Sequence, residues 1–347
     1  MVKLKKVVII GGGFAGAEIA KNLEKRFEVI LIDTKDYFEF IPSILRIIAE
    51  PKVIKDIQIK HKDYLRNTSI ITNKVINVKK DSLILNNKKE INFDYLVIAS
   101  GSDYKLPIKH NRSISAYSGK ILKDYSHKVI GKDVLIVGAG LVGVELAAEL
   151  ADISKVSLIE GNNIILARSN KKTRTYAENY LKKKKINLIL GEMVVESDGH
   201  SLMTNKSTKI APDFVFLCTG ITPNSEFMKK NFSDNLGVRG HIIVNKYLQL
   251  NNYNNIFAAG DVTDIIEEKT AQSAEKQAKV VAKNIILLER YKNNNKLLSY
   301  ASKKRPMAIS LGKYDGIIAY KEFTLTGFIS SIIKYIIQLK TILKLKL

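Results

Sequence analysis

One segment of this chain occurs twice, and the duplication constrains the fold more than any other feature of the sequence. Residues 7–16 recur as residues 134–143, each a short aliphatic run followed by glycines in a Gly-x-Gly-x-x-Gly spacing. An acidic residue, Asp33 or Glu160, follows the first of these glycines by 22 positions in both copies. Each copy therefore predicts a strand, a tight turn, an amphipathic helix and a second strand, the unit from which doubly wound α/β domains are built.

The glycine spacing and the terminal acid are those of a dinucleotide-binding site. The first glycine permits a tight turn, the second lets the backbone approach a pyrophosphate, and the third lets helix and strand pack closely. The helix N-terminus offers free N–H groups to the phosphates, and the acid accepts hydrogen bonds from ribose hydroxyls. One such motif is a weak signal, but two copies in register, each with its strand and its acid, predict two dinucleotide sites.

Three further segments connect the repeat to a known family. Residues 95–101 form a strand that ends in Ala-Ser-Gly, residues 214–224 a strand and turn, and residues 255–261 a strand that ends in Gly-Asp. Together with the two glycine motifs, they resemble the pyridine nucleotide:flavin oxidoreductases, which bind two dinucleotides. The resemblance implies non-covalent FAD on the first motif and NAD(P)H on the second.

The resemblance also assigns residues to each cofactor. For FAD it implies Gly11, Gly13, Phe14, Ala15, Gly16, Asp33, Thr34, Lys35, Ala99, Ser100, Gly101, Gly260, Asp261, Ala271 and Gln272. For NAD it implies Gly138, Gly140, Leu141, Val142, Gly143, Glu145, Glu160, Thr219 and Gly220. In this family the aspartate of the second flavin motif, here Asp261, hydrogen-bonds the ribityl chain of FAD.

The order of the motifs predicts how the chain is divided. We expect an FAD-binding domain from residues 1–110 and 236–305, an NAD(P)H-binding domain inserted at 111–235, and a C-terminal element at 306–347. Turn-rich segments at residues 70–93 and 193–210 predict an antiparallel meander on each parallel sheet. The predicted fold class is α/β, with two Rossmann-like dinucleotide-binding domains of three layers (ββα) and a C-terminal amphipathic element.

Cysteine and histidine usage narrows the chemistry. A single cysteine, Cys218, excludes an intramolecular disulfide and disfavours disulfide reductases and sulfide:quinone reductases, which need at least two cysteines. We expect Cys218 to be a packing residue at a buried strand end. The five histidines show no metal-ligand spacing, so they are expected at the surface or in loops, and no metal site is predicted.

Three other segments indicate a branch of the family. Residues 36–43, 143–147 and 270–277 are similar to segments of type II NADH dehydrogenases and of apoptosis-inducing-factor-like proteins of the ferroptosis suppressor type. This resemblance implies a single-subunit, non-proton-pumping NAD(P)H:quinone oxidoreductase. In such enzymes the cofactors carry the chemistry, and the protein supplies geometry and electrostatics.

Under this resemblance the catalytic candidates are Glu145, Gln272 and Gln277. A helix beginning near Ala271 would direct N–H groups toward the flavin N1–C2=O edge, where reduced flavin carries negative charge. Glu145, expected in the first turn of its helix, matches a glutamate near the point where nicotinamide meets flavin. An alternative stays open for each. The helix near Ala271 could be a surface helix rich in Gln and Lys, and Glu145 could be an acid that only favours the start of its helix.

The acid of the second motif bears on coenzyme choice. A carboxylate such as Glu160 pairs with ribose hydroxyls and repels a 2′-phosphate, and residues 161–163 include no Arg or Lys to receive that phosphate. The sequence therefore favours NADH over NADPH.

The C-terminus predicts a basic amphipathic helix. Residues 326–347 contain four lysines and no acidic residue, and the formal net charge of the chain is +22. The apolar stripe consists of Ile329, Ile332, Ile333, Ile336, Leu339, Leu343 and Leu347, with Ser330, Lys334, Thr341 and Lys344 roughly opposite. Such a helix is typical of an interfacial anchor on anionic lipid. The alternatives are a homodimer contact or packing within the chain, and a lysine-rich genome as the source of the charge.

These observations lead to three hypotheses. The first is an NADH:quinone oxidoreductase, cytoplasmic and peripheral on the inner face of the cell membrane, since the sequence shows no signal peptide and no spanning segment. The second is a soluble NADH-dependent reductase of ferredoxin, rubredoxin or oxygen. The third is a redox-sensing or nucleic-acid-binding flavoprotein; nucleic acid is an unlikely partner because no aromatic-rich basic stretch supports it.

Overall fold

The computed structural model describes residues 3–103, 110–116 and 118–346, and two parallel sheets organise them. The elements around the first glycine motif are β1 (Lys6–Ile10), α1 (Phe14–Leu23), β2 (Glu28–Asp33), β3 (Tyr37–Glu39), α2 (Ile54–Ile57), β4 (Gln58–Lys60), β5 (Thr68–Thr72), β6 (Val75–Val78), β7 (Ser82–Leu85), β8 (Glu90–Asn92), β9 (Tyr95–Ile98) and β10 (Ser102–Asp103). Short 3₁₀ helices cover Ile41–Ile48, Pro51–Val53 and His61–Asp63.

The elements around the second motif follow in the same order. They are β11 (Ser113–Ile114), α3 (Gly119–Tyr125), β12 (Asp133–Val137), α4 (Leu141–Leu150), β13 (Lys155–Glu160), α5 (Lys171–Lys183), β14 (Asn187–Leu190), β15 (Val194–Ser197), β16 (Leu202–Thr204), β17 (Lys209–Ile210), β18 (Phe214–Leu217) and β19 (Thr222–Pro223). The remaining strands and helices are β20 (Ile256–Ala258), α6 (Ala271–Tyr291), β21 (Met307–Leu311), β22 (Asp315–Tyr320), β23 (Phe323–Thr326) and α7 (Phe328–Lys346), with 3₁₀ helices at Glu226–Met228, Ser233–Asn235 and Asn294–Lys296.

The first sheet has the strand order β20-β9-β1-β2-β5, and all its pairings are parallel. Because β20 lies beside β9, residues from before and after the second sheet share one sheet. Alternate residues of β1 face opposite layers: Val7 and Ile9 pack in the core that contains α1 and α6, whereas Val8 and Ile10 pack against the antiparallel meander β6-β7-β8. The layers are therefore helix, parallel sheet and meander.

The second sheet repeats this design with the order β11-β18-β12-β13-β14. Val134 and Ile136 face the helical layer, while Leu135 and Val137 share a buried cluster with Leu202 of the meander β15-β16-β17. The predicted α/β class with two three-layer Rossmann-like units is confirmed. One detail of the prediction was wrong: residues 70–72 belong to the parallel strand β5, so the first meander begins only at β6.

Short contacts join the two sheets. Strand β10, after the first sheet's β9, pairs antiparallel with β19, after the second sheet's β18. Beyond them, the Ser100 hydroxyl donates to the Asn224 carbonyl oxygen at 2.6 Å, and the Asn224 amide nitrogen donates to the Ser100 carbonyl at 3.1 Å. The carboxyl ends of the two sheets, where dinucleotides bind in such folds, are thereby held close together.

The C-terminal helix α7 packs against the three-stranded sheet β21-β22-β23 with a mixed inward face, on which Ser330, Gln338, Ile342 and Leu345 are buried. Most of the predicted apolar stripe is exposed, Ile329 to 60% and Leu343 to 57%. Ile333 is half-buried, and Leu347 lies outside the described residues. The amphipathic helix is therefore confirmed, and it presents its apolar stripe outward.

Candidate functional site

The first glycine motif has the shape that a pyrophosphate requires. Gly11 has a φ of +99°, and a Cβ on it would lie 2.3 Å from the Ala99 carbonyl oxygen at the end of β9. A Cβ on Gly16 would lie 1.8 Å from the Gly11 carbonyl oxygen, so only glycine lets α1 pack on this turn. Around Gly13 there is no heavy atom within 4 Å of that position, which leaves the backbone open to a ligand.

Asp33 closes this site at the end of β2. Its carboxylate accepts hydrogen bonds from the Gly12 N–H at 2.5 Å, the Lys35 N–H at 3.0 Å and the Thr34 hydroxyl at 3.3 Å. Ala15 is buried behind the turn, and the half-buried Phe14 ring makes edge contacts with aromatic rings of the following segment. These residues fit the adenosine and pyrophosphate portion of FAD.

The second motif has nearly the same geometry. Gly138 has a φ of +102°, and a Cβ on it would lie 2.6 Å from the Cys218 carbonyl oxygen; the corresponding distance from Gly143 to the Gly138 oxygen is 1.9 Å. Gly140 is open, as Gly13 is. Glu160 accepts from the Ala139 N–H at 2.8 Å and from the backbone and side-chain amides of Asn162. Half-buried Leu141 and Val142 begin α4 beside this turn.

The strand ends that support the motifs also correspond. Ala99, Ser100 and Gly101 follow β9, and Cys218, Thr219 and Gly220 follow β18, each trio beginning with the residue that touches the first motif glycine. Thr219 and Gly220 are exposed, and Gly220 has a φ of +123°. Cys218 is buried as predicted, and burial raises the pKa of its thiol to about 12.

The second flavin motif is stabilised by the helix that follows it. Gln277, buried on α6, accepts the Gly260 N–H at 2.7 Å and donates to Glu267 at 2.7 Å. Both ends of this amide are thus bonded within the protein, and Gln277 fixes the Gly260 turn rather than facing an acceptor. Asp261 accepts from the Ser102 hydroxyl at 3.1 Å, and burial raises its pKa despite that bond and the nearby Lys269.

Helix α6 begins at Ala271, close to where the sequence predicts its start. The Thr270 hydroxyl caps the helix by accepting the Ser273 N–H at 3.2 Å, and the half-buried Ala271 is its first residue. Gln272 is exposed and makes only a long contact, 3.5 Å, with the Pro306 carbonyl. Of the two glutamines predicted as catalytic, Gln272 is therefore the one whose amide is free to meet a ligand.

Glu145 lies elsewhere on its helix than predicted. It is the fifth residue of α4, so it belongs to the second turn, and no acidic residue occupies the first. Its carboxylate accepts the Ser310 N–H at 2.7 Å and pairs with the Lys334 ammonium at 2.7 Å. These partners come from β21 and α7, and sequence reasoning did not identify them.

The corresponding glutamate of the first motif, Glu18, has a matching partner. It pairs with Lys344 of α7 at 2.6 Å, while Lys21 donates to the carbonyls of Lys344 and Leu345 at 2.8 Å and caps the end of α7. The Ser43 hydroxyl donates to Gln338 at 2.6 Å between these two ion pairs. Helix α7 thus spans both motif helices, and two of the four lysines predicted to face lipid pair with the motif glutamates: Lys334 is nearly buried, and Lys344 remains 45% exposed.

His61 is the other feature that the sequence did not reveal. It was expected at the surface or in a loop: it lies in the short 3₁₀ turn His61–Asp63, but it is fully buried beside Gly12, with its Nδ1 2.7 Å from the Tyr64 hydroxyl. Among the described residues, no three His, Cys, Asp or Glu side chains are arranged to hold a metal ion. Across those same ranges, no helix is both long and apolar enough to cross a membrane.

Comparison with known proteins agrees with this geometry. The pattern of the pyridine nucleotide-disulphide oxidoreductase family matches residues 5–278. The chain is 33% identical to apoptosis-inducing factor homolog A of Dictyostelium discoideum over 95% of this chain and 88% of that one, and 32% identical to ferroptosis suppressor protein 1 of Xenopus tropicalis over 90% and 87%. The solved structure of NDH2 from Plasmodium falciparum with NADH superimposes with a TM-score of 0.83 at 16% identity, covering 98% of this chain and 95% of that one.

Proposed function

The chain belongs to the pyridine nucleotide-disulphide oxidoreductase family, and we propose that it is an NADH:quinone oxidoreductase that works at a membrane surface. Members of this family bind FAD and a pyridine nucleotide. We assign FAD to the Gly11 motif and NADH to the Gly138 motif. The cysteine content supports a non-thiol acceptor, because Cys218 is buried and is the only cysteine in the chain.

The residues around the second motif favour NADH as the donor. Glu160 turns its carboxylate to the Ala139 N–H and the Asn162 amides, the position from which it would accept ribose hydroxyls. A 2′-phosphate there would meet the carboxylate's negative charge. The preference for NADH is part of the proposal.

Residues of the chain itself shape the flavin site for hydride transfer. FAD, when bound, supplies the hydride acceptor and the two-electron donor to quinone. The N-terminus of α6 provides positive potential for a reduced flavin, and Gln277 fixes the turn that holds Asp261. Lys334 Nζ pairs with Glu145 at 2.7 Å and joins α7 to the nicotinamide-binding helix α4.

One observation supports a membrane quinone as the acceptor. Lysine side chains of α7 form ion pairs with both motif helices, and the opposite face of α7 exposes apolar side chains. That face consists of Phe328, Ile329, Ile332, Tyr335, Ile336, Ile337, Leu339 and Leu343. Lys340 and Lys346 are also exposed on this helix, and each lysine near anionic lipid contributes about 1 kcal/mol to binding. The geometry would bring the acceptor side of both cofactor sites to the surface where a lipid-soluble quinone resides.

Deletion of α7 is a poor test of this proposal, because it would also remove the partners of Glu18 and Glu145. The sharper variant replaces Ile329, Ile336 and Leu343 with Gln and leaves every inward contact in place. A matched control replaces Ile76, Ile130 and Val195, which are similarly exposed elsewhere, with Gln. Turnover is measured with a water-soluble short-chain quinone and with a long-chain quinone in vesicles of anionic phospholipid, together with co-sedimentation of protein and vesicles.

We expect the α7 variant to keep short-chain turnover and to lose both sedimentation and long-chain turnover, while the control variant keeps all three. Equal vesicle binding by both variants would contradict the membrane assignment. A protein that NADH bleaches but quinone does not reoxidise would instead indicate a soluble reductase of a protein acceptor or oxygen. Salt-sensitive DNA binding without NADH turnover would indicate the nucleic-acid alternative.

A further inference from the structure

His61 packs against Gly12, the one position at which the turn of residues 11–13 differs in sequence from the turn of residues 138–140. A Cβ placed on Gly12 would lie 2.4 Å from His61 Cε1 and 2.5 Å from Nε2, so the imidazole occupies the space that any side chain there would need. The same Cβ would lie 2.9 Å from Asp33 Oδ2. The imidazole and the ribose-binding carboxylate therefore converge on one point beside the turn.

The hydrogen bonds of His61 leave its Nε2 without a partner. Tyr64 is buried, and its hydroxyl is bonded to Nδ1 at 2.7 Å. A buried hydroxyl needs an acceptor for its hydrogen, which assigns Nδ1 as the acceptor and places the imidazole hydrogen on Nε2. Nε2 is fully covered and has no hydrogen-bond partner within the described residues. A neutral donor nitrogen thus lies beside Gly12 and Asp33 with its bonding capacity unused.

Burial keeps the His61 imidazole neutral although two aspartates are nearby. Asp33 and Asp36 favour the protonated imidazole, whereas burial and Lys35 disfavour it, and burial is the larger effect, so the pKa of His61 is lowered. The ring is therefore neutral at neutral pH, with one hydrogen to donate. Asp33 accepts from the Gly12 and Lys35 N–H groups and, at a long 3.3 Å, from the Thr34 hydroxyl, so short hydrogen bonds do not fill its acceptor capacity.

The second motif offers an internal comparison without a histidine. The residue equivalent to Gly12 is Ala139, and between β13 and β14 the second unit has α5, without a histidine, where the first unit has β3, β4 and the turn that carries His61. Glu160 nevertheless accepts the Ala139 N–H, as Asp33 accepts that of Gly12. The histidine is therefore not needed to build the turn itself.

We propose that His61 is a positioning residue of the FAD site: its Nε2–H, unpaired among the residues that the structure describes, is held beside the Asp33 carboxylate and donates to it when that carboxylate engages the adenosine ribose, which slows the release of FAD. This inference rests on the assignment of FAD to the first motif. It predicts that the loss of the nitrogen, and not the loss of ring volume, accelerates FAD release.

The test follows FAD release from the holoenzyme by the rise in flavin fluorescence after dilution. His61→Phe keeps a ring without nitrogen, and His61→Gln restores an amide nitrogen near the position of Nε2. Tyr64→Phe keeps the fold of the segment while removing the hydroxyl that sets the tautomer, and serves if His61→Phe fails to fold. NADH affinity of the same proteins and the variant Ala139→Gly report on the second motif.

We expect His61→Phe to release FAD about tenfold faster, the effect of one hydrogen bond to a charged group, and His61→Gln to return within about twofold of the native rate. In an Asp33→Asn background His61→Phe should have no further effect, and NADH affinity should stay unchanged in every variant. The proposal is overturned if His61→Phe retains FAD like the native protein, or if His61→Gln is as defective as His61→Phe. A native protein that is isolated without any flavin would instead refute the assignment of FAD to the first motif.

Discussion

The two glycine motifs are nearly superimposable in their backbone and differ in what surrounds them. Gly11 and Gly138 have φ values of +99° and +102°, and both lean on a carbonyl oxygen at the end of a neighbouring strand. Both motif helices carry a glutamate that pairs with a lysine of α7. The backbone repeat builds two equivalent dinucleotide cradles, so the difference between a resident and an exchangeable cofactor must come from side chains outside the repeat.

Those side chains are unevenly distributed. The first motif has His61 behind its turn and two phenylalanine rings around Phe14. The second has an exposed Thr219 and Gly220 after β18, where the first has the half-buried Ser100 and Gly101 after β9. Residues around the first motif are thus less exposed than those around the second, which supports the proposal that FAD is held more tightly than NADH.

Substitution of the third glycine of each motif is expected to have the largest effect and to separate the two sites. Because a Cβ on Gly16 or Gly143 would lie within 2 Å of a backbone oxygen, Gly16→Ala should yield protein without flavin colour. Gly143→Ala should yield coloured protein that NADH no longer bleaches. Visible spectra before and after the addition of NADH distinguish the two. If either variant lost both properties, the sites would not be independent.

The glutamate pair gives the next largest effect. Glu145 and Lys334 side chains are only 13% and 12% exposed, and loss of one partner of a buried ion pair costs about 3–5 kcal/mol. We therefore expect Glu145→Gln to lower the free energy of unfolding by about 3 kcal/mol. Glu18→Gln should lower it by less than about 1 kcal/mol, because the Lys344 side chain is 45% exposed. Urea denaturation of the holoenzyme measures both, and equal effects would contradict this difference between the two pairs.

Glu160, but not Asp33, should determine the preference for NADH over NADPH. Replacing Glu160 with Ser and Asn162 with Arg removes the repulsive carboxylate and supplies a cation for a 2′-phosphate, so the ratio of kcat/KM for NADH to that for NADPH should fall at least about tenfold. Asp33→Ser is the matched control: it should weaken FAD retention and leave the ratio unchanged. A shift of the ratio in the control would argue against the assignment of the motifs.

The smallest effect is expected at the strand ends, where Cys218 corresponds to Ala99. Cys218→Ala makes the second site resemble the first, and we expect turnover with NADH and quinone to stay within about twofold of the native value. With a thiol pKa of about 12, Cys218 should also resist iodoacetamide at pH 8 until the protein unfolds. Inactivation by the substitution or rapid labelling of the folded protein would reveal a thiol role.

The sequence identified the parts whose spacing is dictated by the cofactor. Glycines at Gly11, Gly138 and their partners, and the acids Asp33 and Glu160, are local features, because a pyrophosphate and a ribose impose fixed distances along the chain. The three-layer fold follows from the same units. What the sequence could not supply was tertiary: which lysines of an amphipathic helix face inward, and which histidine is buried.

The missed residues share one physical reason. Lys334 has a helical spacing with Ser330 and Gln338 that fits a polar face equally well in water or against a protein, and only packing decides between them. The histidines were assigned to the surface or to loops because they lack metal-ligand spacing, yet a 3₁₀ turn directs the His61 ring beneath Gly12. The spacing of the motif does not require glycine at position 12, so Gly12 was the sequence feature that could have indicated a buried side chain beneath the turn.

An anaerobic titration tests the central claim most directly. The purified protein is scanned in the visible range, reduced with one equivalent of NADH, and then mixed with a short-chain quinone. We expect a flavin spectrum that NADH bleaches and quinone restores in the native protein, no flavin spectrum in Gly16→Ala, and in Gly143→Ala a flavin that NADH leaves oxidised. A colourless native protein, or a native flavin that NADH does not bleach, would contradict the central claim.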